Sequence, residues 1–413
     1  MSLPLRTVII GAGQRGRHVY GAWALHNPNA MSIVGVVDPI DERRAAVVAE
    51  HKVVAGFGKL DDFLGSGIGA DAVIIASPDR EHEQAAVSCI EAGYHVLIEK
   101  PVAHTFDGVQ AIAEAADRTD RVVAVAHVLR YTEFFQVLHD VVRSGRLGDL
   151  VTVTHRENVA AWHMAHSFVR GNWASAAESS PMIVAKCCHD FDILTWNLDS
   201  PIASLTSNGS LFEFKPDRSP AGATERCTSP CPVSDCPYDA RRIYLDQSYS
   251  GWPVHVITDD PSHEGRMAAL EQGPYGRCVY TAGSDVVDHQ VVSMELESGA
   301  TATLIMHGHS HEEQRTMRYD GTRATLRATF GASQVVEVID HVTGQAESIP
   351  ISSRSGGHGG GDEAMLAAFV DSVRTGHDTL ATPSNALAAY ELAFAAEQAR
   401  LTGDRIVVRE FSV

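Results

Sequence analysis

The 413-residue chain has no uninterrupted apolar run that approaches the ~18 residues of a membrane span. Positive charge is also scarce, with 33 lysines and arginines against 52 aspartates and glutamates and a formal net charge of −19 at pH 7. Such a surface repels nucleic acids and anionic membranes, so neither is expected as a partner. Only 7 cysteines occur, and the first predicted strand begins by Thr7, which leaves no room for a signal peptide. The sequence therefore predicts a cytoplasmic protein whose cysteines are thiols or metal ligands.

The length predicts two domains, because a single core rarely exceeds ~250 residues. We place an N-terminal domain at residues 1–128 and a C-terminal domain at 129–413. Residues 215–280 are rich in proline and poor in helix and strand signals, which predicts an insertion in the second domain.

A glycine-rich turn lies between the first predicted strand and the first predicted helix. It is formed by Gly11, Ala12, Gly13, Gln14, Arg15 and Gly16. In this context the glycines permit a tight turn and close approach to a diphosphate, which would lie on the helix N-terminus. Asp38 ends the next strand and would bind an adenosine ribose diol, which favours NAD. Arg43 and Arg44 follow closely and leave NADP open.

A second signature spans residues 73–101, where two apolar strands flank a helix that ends at Gly93. The first strand breaks at Ser77-Pro78, and the second is followed by Glu99-Lys100-Pro101. Both positions are carboxyl ends of parallel strands, where ligands bind in a doubly wound sheet. We therefore expect Lys100 to act on a bound ligand.

Together these motifs resemble the Gfo/Idh/MocA oxidoreductases, which include glucose–fructose oxidoreductase and inositol dehydrogenase. The resemblance rests on the glycine turn, on Ala76-Ser77-Pro78 with His82, and on Glu99-Lys100-Pro101. Weaker motifs extend it over essentially the whole chain, at Val128-Leu129-Arg130-Tyr131, Gly321-Thr322 and Gly359-Gly360-Gly361-Asp362.

This resemblance implies an α/β protein with an N-terminal Rossmann domain built on a doubly wound parallel sheet. It also implies a C-terminal α+β domain with a large, mostly antiparallel sheet, through which such proteins form a homodimer or homotetramer. Apolar alternation predicts strands of that sheet at 151–155, 202–207, 291–296, 300–307, 324–329 and 335–339. Helices are predicted at 128–145, 362–375 and 384–401.

The glycine turn and the resemblance together give a set of expected cofactor-binding residues, with Lys100 next to the nicotinamide. The set is Gly11, Gly13, Gln14, Arg15, Gly16, Asp38, Ser77, Pro78, His82, Glu99 and Lys100.

A helix predicted to start at Ser180-Pro181 carries Lys186, His189 and Asp192 on one face. A histidine between a cation and a carboxylate has a tunable pKa and exchanges protons with a hydroxyl group. We predict Lys100 as the residue of proton transfer, and His189 as a residue that supports or shares this role together with Lys186 and Asp192.

One position departs from the family pattern. The resembling proteins carry an aspartate four residues before the histidine, where this chain has Ala185. The missing carboxylate predicts either that Lys186 or Asp190 replaces it or that the chemistry differs from that of the polyol dehydrogenases.

Residues 155–173 are dense in tryptophan, histidine, arginine and asparagine, which suits ligands with apolar ring faces and hydroxyl rims. The alternative is a structural loop that packs its aromatic side chains on the sheet. The predicted substrate contacts are Arg130, Tyr131, His163, His166, Arg170 and Trp173.

The sequence thus predicts an NAD(P)-dependent oxidoreductase that moves a hydride between a nicotinamide and the CH–OH group of a sugar, inositol or related polyol. Two alternatives stay open. One is a glycoside hydrolase that uses NAD transiently, and the other is a non-catalytic dinucleotide-binding sensor.

The insertion contains three of the 7 cysteines within ten residues, and a fourth follows further along the chain. They are Cys227, Cys231, Cys236 and Cys278. Zinc–thiolate sites usually have tighter pairs of cysteines; the spacings here are permissible, but a second pair is missing and Cys278 would have to complete the site. A structural zinc is predicted beside the alternative of free or redox-active thiols.

Overall fold

The computed structural model describes residues 3–53, 55–352 and 357–411. Its first sheet has six parallel strands in the order β3-β2-β1-β4-β5-β6. The strands are β1 (Leu5–Ile10), β2 (Met31–Val37), β3 (Ala55–Phe57), β4 (Ala72–Ile75), β5 (His95–Ile98) and β6 (Val123–Val125). Residues Val73 to Ile75 have no exposed surface because helices cover both faces of the sheet. The predicted Rossmann fold is confirmed.

Five α-helices connect these strands: α1 (Ala22–His26), α2 (Asp41–His51), α3 (Leu60–Leu64), α4 (His82–Glu91) and α5 (Phe106–Asp117). A π-helix, Gly16–Gly21, precedes α1 where an uninterrupted α-helix was expected. The strand order places β1 next to β4 in the middle of the sheet. The glycine turn and Ser77 therefore lie side by side at the carboxyl ends of these two strands.

The second sheet has nine strands in the order β14-β13-β12-β11-β7-β10-β9-β8-β15. They are β7 (Leu150–Ala160), β8 (Ile202–Ser210), β9 (His289–Leu296), β10 (Thr301–Ser310), β11 (Gln314–Gly321), β12 (Ala324–Phe330), β13 (Gln334–Asp340), β14 (Ala346–Ile349) and β15 (Ile406–Val407). Among the described strand pairs of this second sheet, only β7 and β10 run parallel, so the sheet is mostly antiparallel, as predicted.

The helices of this half are α6 (Glu133–Arg143), α7 (Ala161–His163), α8 (Met182–Ala185), α9 (Cys188–Asn197), α10 (Ala240–Tyr244), α11 (Val254–Ile257), α12 (His263–Gln272), α13 (Gly361–Thr375) and α14 (Pro383–Thr402). Helix α14 packs against α5 of the first domain and against α9 and β8 of the second. It begins with a capping box, in which Thr382 Oγ1 accepts from the Asn385 amide and Asn385 Oδ1 accepts from the Thr382 amide. None of the helices described is long and apolar enough to cross a membrane.

Two predicted helices are divided. Residues 128–145 form a 3₁₀ turn, Val128–Tyr131, and then α6, because the Thr132 side chain caps a new helix by accepting from the Phe135 amide at 3.2 Å. The helix predicted from Ser180-Pro181 is split into α8 and α9 at Lys186-Cys187. The boundary proposed between residues 128 and 129 falls within the 3₁₀ turn.

The insertion at residues 215–280 contains three short helices, α10 to α12, where few were expected. Its own apolar core consists of Ala240, Tyr244 and Leu270. The fully buried Arg266 guanidinium ties loops around that core by donating to four main-chain carbonyls, those of Tyr244, Asp246, Tyr249 and Pro261. A segment with so small a core gains much of its order from polar contacts.

Candidate active site

The three glycines of the turn have different steric environments. A Cβ on Gly11, whose φ is +91°, would lie 2.5 Å from the Ala76 carbonyl, and one on Gly16 would lie 1.9 Å from the Gly11 oxygen. A Cβ on Gly13 would meet no described atom within 4 Å. Gly11 and Gly16 thus allow close packing of the turn, and Gly13 leaves its backbone open to a ligand. This arrangement fits the diphosphate of a dinucleotide.

Asp38 lies buried at the end of β2, next to the glycine turn. Its carboxylate accepts from the Ala12 amide at 2.7 Å and from the Ile40 amide at 2.8 Å. The nearby Arg44 side chain is engaged with the Asp38 carbonyl and with the Asp41 carboxylate. The acidic group that was predicted to bind the ribose is therefore fixed by the turn itself.

His82 joins the ends of β4 and β5. Its Nδ1 lies 2.8 Å from the Pro101 carbonyl oxygen and its Nε2 lies 2.9 Å from the Ser77 carbonyl oxygen. The Ser77 hydroxyl oxygen is buried and has no hydrogen-bond partner among the residues described. This is the pattern of a polar group whose partner is a ligand.

Arg15 links the glycine turn to both domains. Its guanidinium contacts the Glu99 carboxylate, lies 2.6 Å from Asp362 Oδ1, and donates to the Tyr20 hydroxyl at 2.9 Å. Burial alone would raise the pKa of Glu99, but the charges of Arg15 and Lys100 outweigh it and hold that pKa below its ordinary value. Glu99 is therefore an anion that positions Arg15 and the start of Lys100.

The Lys100 side chain lies in the crevice between the domains, as the sequence predicts. Its ammonium nitrogen donates to the Ala185 carbonyl at 3.1 Å and lies 5.7 Å from the centre of the Trp173 ring. Trp173 is held by Asp79, whose carboxylate accepts from the indole nitrogen at 3.1 Å. The ammonium group thus has one main-chain acceptor and one aromatic face.

His189 lies at the same end of the crevice. Burial, the charge of Lys100 and the neighbouring His127 lower its pKa well below the ordinary value. Its Nδ1 has no hydrogen-bond partner in the described parts of the chain. His189 is therefore a neutral imidazole near pH 7, with a free nitrogen beside a cation.

The expected contacts of His189 with Lys186 and Asp192 are wrong. Asp192 instead accepts two hydrogen bonds from Arg130, at 2.8 and 2.7 Å, and its Oδ1 lies 2.7 Å from His127 Nδ1. The Arg130 guanidinium also donates to the Leu380 carbonyl, so it holds Asp192 rather than a substrate. This buried cluster lies behind His189 and fixes the His127 ring.

Replacing Asp192 with asparagine is expected to destabilise the fold by about 3–5 kcal/mol, because it leaves the buried Arg130 guanidinium without its counterion. Urea unfolding followed by circular dichroism measures this change. The exposed Asp199 provides the matched control, since Asp199→Asn should change the free energy of unfolding by less than ~0.5 kcal/mol. Equal stabilities of the two variants would contradict the buried pairing.

Lys186 lies on the opposite wall, between two glutamates. Its ammonium nitrogen is 3.2 Å from Glu157 Oε1 and 3.7 Å from Glu313 Oε2, and Glu313 also lies 2.6 Å from His163 Nδ1. Burial alone would lower the pKa of Lys186, but the two glutamates outweigh it and raise that pKa. Burial and the Lys186 charge lower the pKa of His163. This wall therefore presents an ammonium, a carboxylate and a neutral imidazole.

Asp190 does not replace the missing aspartate either. Its Oδ1 lies 2.8 Å from both Arg315 Nε and His155 Nε2; Asp190 and His155 are fully buried, and Arg315 is partly exposed. Arg315 Nε also lies 2.8 Å from Glu157 Oε2, so this cluster supports the wall that carries Lys186. Neither Lys186 nor Asp190 occupies the position of the absent carboxylate, because each is bound to other partners.

The remaining predicted substrate contacts are separated. His163 and Trp173 lie near Lys100, whereas Tyr131 packs against residues 379–381. His166 faces the insertion: its Nδ1 lies 2.6 Å from the Tyr244 hydroxyl, and burial lowers its pKa to about 3. Arg170 donates to the carbonyls of Arg277 and Tyr238, which both belong to the insertion. His166 and Arg170 thus anchor the insertion instead of lining the crevice.

The insertion also reaches the glycine turn. The His255 ring contacts the Gln14 side chain and stacks on His18 with ring centres 4.5 Å apart. Arg17 Nη1 lies 3.3 Å from Asp259 Oδ1. These contacts were not expected from the sequence, because the partners are more than 200 residues apart. They make the insertion a cover over the turn.

Several residues of the crevice were missed at the sequence level, namely His127, Glu157, Glu313, Arg315, His358 and Asp362 as an ion-pair partner. Glu313 immediately precedes β11, a strand that was itself missed. His358 lies 3.0 Å from Asp362 and its ring centre is 6.2 Å from that of His189. Glu157 lies within β7, Arg315 within β11 and Asp362 in α13, so no common spacing in the sequence identifies these residues.

Comparison with known proteins is consistent with this architecture. Residues 5–127 match the family model GFO_IDH_MocA, described as an oxidoreductase family with an NAD-binding Rossmann fold. Residues 140–408 match its companion, the C-terminal alpha/beta domain of the same oxidoreductase family.

The chain is 24% identical over 320 residues to the oxidoreductase YteT of Bacillus subtilis, covering 72% of this chain and 71% of that protein. It is 32% identical over 182 residues to inositol 2-dehydrogenase 2 of Saccharopolyspora erythraea, covering 42% of this chain and about half, 49%, of that protein. In fold it is similar to scyllo-inositol dehydrogenase of Lactobacillus casei, solved with NAD(H) and scyllo-inositol. That likeness has a TM-score of 0.68 at 19% identity and covers 98% of this chain and 100% of the other.

Proposed function

Because this chain belongs to the Gfo/Idh/MocA oxidoreductase family, we propose that it oxidises a secondary hydroxyl group of a sugar, inositol or related polyol with NAD as the hydride acceptor. The observation that carries the proposal is the position of Lys100, which follows the carboxyl end of β5, donates to the Ala185 carbonyl and lies close enough to His189 for its charge to lower the pKa of that imidazole. Named relatives that act on inositol support the substrate class.

When bound, the nicotinamide would supply the carbon that accepts the hydride. The chain's own groups handle the proton and the orientation of the alcohol. We assign to the Lys100 ammonium the role of holding the substrate hydroxyl oxygen, and to His189 that of accepting the hydroxyl proton. The alcohol carbon loses a hydride, its oxygen loses a proton to the imidazole, and a carbonyl compound is formed. In reduction the same groups act in the opposite direction.

The sequence predicts Lys100 as the residue of proton transfer, with His189 supporting or sharing that role; this assignment gives the proton to His189. A neutral imidazole can accept a proton directly, whereas an ammonium must first lose its own. The cation also strengthens catalysis electrostatically, because it stabilises the negative charge that develops on the substrate oxygen. The Ala185 carbonyl holds the Lys100 ammonium at the position where family members carry a carboxylate.

We propose that the wall formed by His163, Lys186 and Glu313 binds the other hydroxyl groups of the substrate. An ammonium, a carboxylate and an imidazole offer both donors and acceptors to a ring of hydroxyls. Trp173 lies beside Lys100 and offers an apolar face to the carbon skeleton. The raised pKa of Lys186 makes it a binding group rather than a proton acceptor.

The position of Asp38 supports NAD over NADP. A 2′-phosphate would lie beside a buried carboxylate, and juxtaposed like charges cost several kcal/mol. We therefore expect kcat/KM to be about 100-fold or more higher with NAD than with NADP, measured with one substrate and both cofactors. Equal efficiencies would show that Arg43 or Arg44 turns to the phosphate and would contradict the preference.

The test of the function is a screen of sugars, inositols and sugar acids in which reduced nicotinamide is followed by absorbance. Sustained, stoichiometric formation of reduced cofactor and a carbonyl product is the expected result. A single burst of reduced cofactor with release of an aglycone would instead indicate the transient-oxidation hydrolase. Tight dinucleotide binding without turnover on any compound of the screen would favour the sensor.

The homodimer or homotetramer predicted from the resemblance stays a prediction.

A further inference from the structure

The four cysteines associated with the insertion surround one small cavity of about 30 Å³. They come from three separate places in the chain: Cys227 and Cys231, then Cys236, then Cys278 after α12. All seven cysteines of the chain are free thiols, and Cys89, Cys187 and Cys188 are buried elsewhere. The fold therefore gathers only the insertion-associated cysteines around a common space.

The backbone brings two of these cysteines together. Arg226 and Arg277 form an antiparallel bridge. On either side of it the Cys227 amide donates to the Gly276 carbonyl at 2.9 Å, and the Cys278 amide donates to the Glu225 carbonyl at 2.8 Å. Cys227 and Cys278 are thus held next to each other by main-chain pairing, independent of their side chains.

The sulfur atoms of the four cysteines lie near N–H groups, as the sulfurs of thiolate ligands do. A main-chain amide lies near the sulfur of the cysteine two residues before it in three cases: that of Val233 near Cys231, that of Tyr238 near Cys236 and that of Tyr280 near Cys278. The fourth sulfur, that of Cys227, accepts from Arg170 Nη2 at 3.5 Å. Every sulfur has a donor, which is how proteins stabilise metal-bound thiolates.

Arg170 provides a second observation. Only 4% of its surface is exposed, and its Nη1 is buried without a partner in the described ranges, although its other nitrogens bind two carbonyls and Cys227. A buried cationic nitrogen with no acceptor is costly. Negative charge on the neighbouring cysteine cluster would compensate the guanidinium.

We propose that Cys227, Cys231, Cys236 and Cys278 bind one structural zinc ion. Four thiols would lose their protons to solvent as the ion binds, giving a tetrahedral site with Zn–S bonds of about 2.3 Å and a net charge of −2 beside Arg170. In the described residues no three potential ligand side chains stand close enough to hold a metal. Zinc binding would therefore require the four sulfurs to turn towards the cavity that they line. The cavity is about the size of one water molecule, which suits a single ion rather than an iron–sulfur cluster.

The site has a structural purpose in this fold. The insertion has an apolar core of three residues, and yet it carries His255 to the Gln14 side chain and Asp259 to Arg17. A segment with so small a core needs a metal or another cross-link to keep one conformation. Zinc at its base would fix the part of the chain that covers the glycine turn.

The first experiment is metal analysis of the full-length protein purified without chelator or added metal. We expect about one equivalent of zinc per chain, and cobalt(II) exchanged into the site should give the visible bands of tetrahedral thiolate coordination. Less than ~0.1 equivalent of zinc after supply of zinc during expression, or iron with a cluster spectrum, or disulfides in the intact mass would each overturn the proposal. None of these readouts depends on dehydrogenase activity.

The second experiment compares Cys231→Ala with Cys89→Ala, which removes a thiol outside the cluster. Zinc content should fall at least about fivefold in Cys231→Ala and stay at one equivalent in Cys89→Ala. Limited proteolysis should then cut within residues 215–280 faster in Cys231→Ala than in Ser234→Ala, a change at an exposed insertion residue. Unchanged zinc content in Cys231→Ala would overturn the assignment of this ligand set.

Discussion

Replacing Lys100 with methionine is expected to reduce kcat by about 10²–10⁴-fold, because the substituted side chain keeps its length but loses the charge that holds the substrate oxygen. The Kd for NAD should change little, since the diphosphate is expected to bind at the glycine turn rather than at Lys100. Rapid-mixing measurement of hydride transfer in a single turnover separates this step from cofactor binding.

Lys52→Met is the matched control, because Lys52 is exposed at the end of α2 and away from the crevice. It should leave kcat unchanged. A loss of less than ~10-fold in Lys100→Met would show that the ammonium does not touch the reacting oxygen.

The same substitution should also change the titration of His189. The Lys100 cation contributes, after burial, to the lowered pKa of that imidazole. Its removal is therefore expected to raise the pKa of His189, and a histidine titration followed by NMR measures this shift. An unmoved His189 signal would contradict the proximity of the two side chains.

Replacing His189 with asparagine is expected to reduce kcat/KM by about 10²–10⁴-fold, since asparagine cannot accept the proton of the alcohol. Added imidazole should restore part of the activity, and the exposed His377 gives the control His377→Asn. Loss of cofactor binding in His189→Asn, or no rescue together with an unchanged pH profile, would point to a purely structural histidine.

The pH dependence has a definite sign in the wild-type protein. The base must be unprotonated, so activity falls as the pH drops through the pKa of His189. That pKa lies well below the ordinary value of 6.5, because burial and Lys100 disfavour the imidazolium. The acid limb of kcat/KM should therefore lie clearly below pH 6.5. An acid limb at or above that pH would indicate a different proton acceptor.

The first domain could be predicted almost completely from the sequence. Its central strands β1, β4 and β5 are mostly buried and read as short apolar runs, and its glycine turn joins a strand to a helix within a few residues. The local pattern and the fold agree there. In the second domain β11 was missed, because Met317 and Tyr319 alternate with charged residues on a strand whose remaining positions are polar.

The roles of polar side chains were harder to predict than the fold. Arg130, Arg170 and Lys186 have the composition of ligand-binding residues, yet their partners are Asp192, main-chain carbonyls of the insertion region, and Glu157. The partners of Arg130 and Arg170 are more than 60 residues away from them in the sequence. Sequence spacing also favoured one continuous helix through Lys186, but the ion pairs of that lysine coincide with the break between α8 and α9. The position of Lys100 depends less on distant partners, because it directly follows the end of β5; its role in the reaction stays a prediction.

The contact between Arg15 and Asp362 has a consequence for modularity. The glycine turn of one half of the molecule and the first turn of α13 in the other share a single guanidinium. A chimera that combined this C-terminal half with a nucleotide-binding half lacking an arginine at that position would strand Asp362 as a buried carboxylate opposite His358 alone. A hybrid that keeps this C-terminal half therefore needs an arginine at the position of Arg15 in its N-terminal half. Recombination at residue 128 is expected to produce folded hybrids only when that arginine is present.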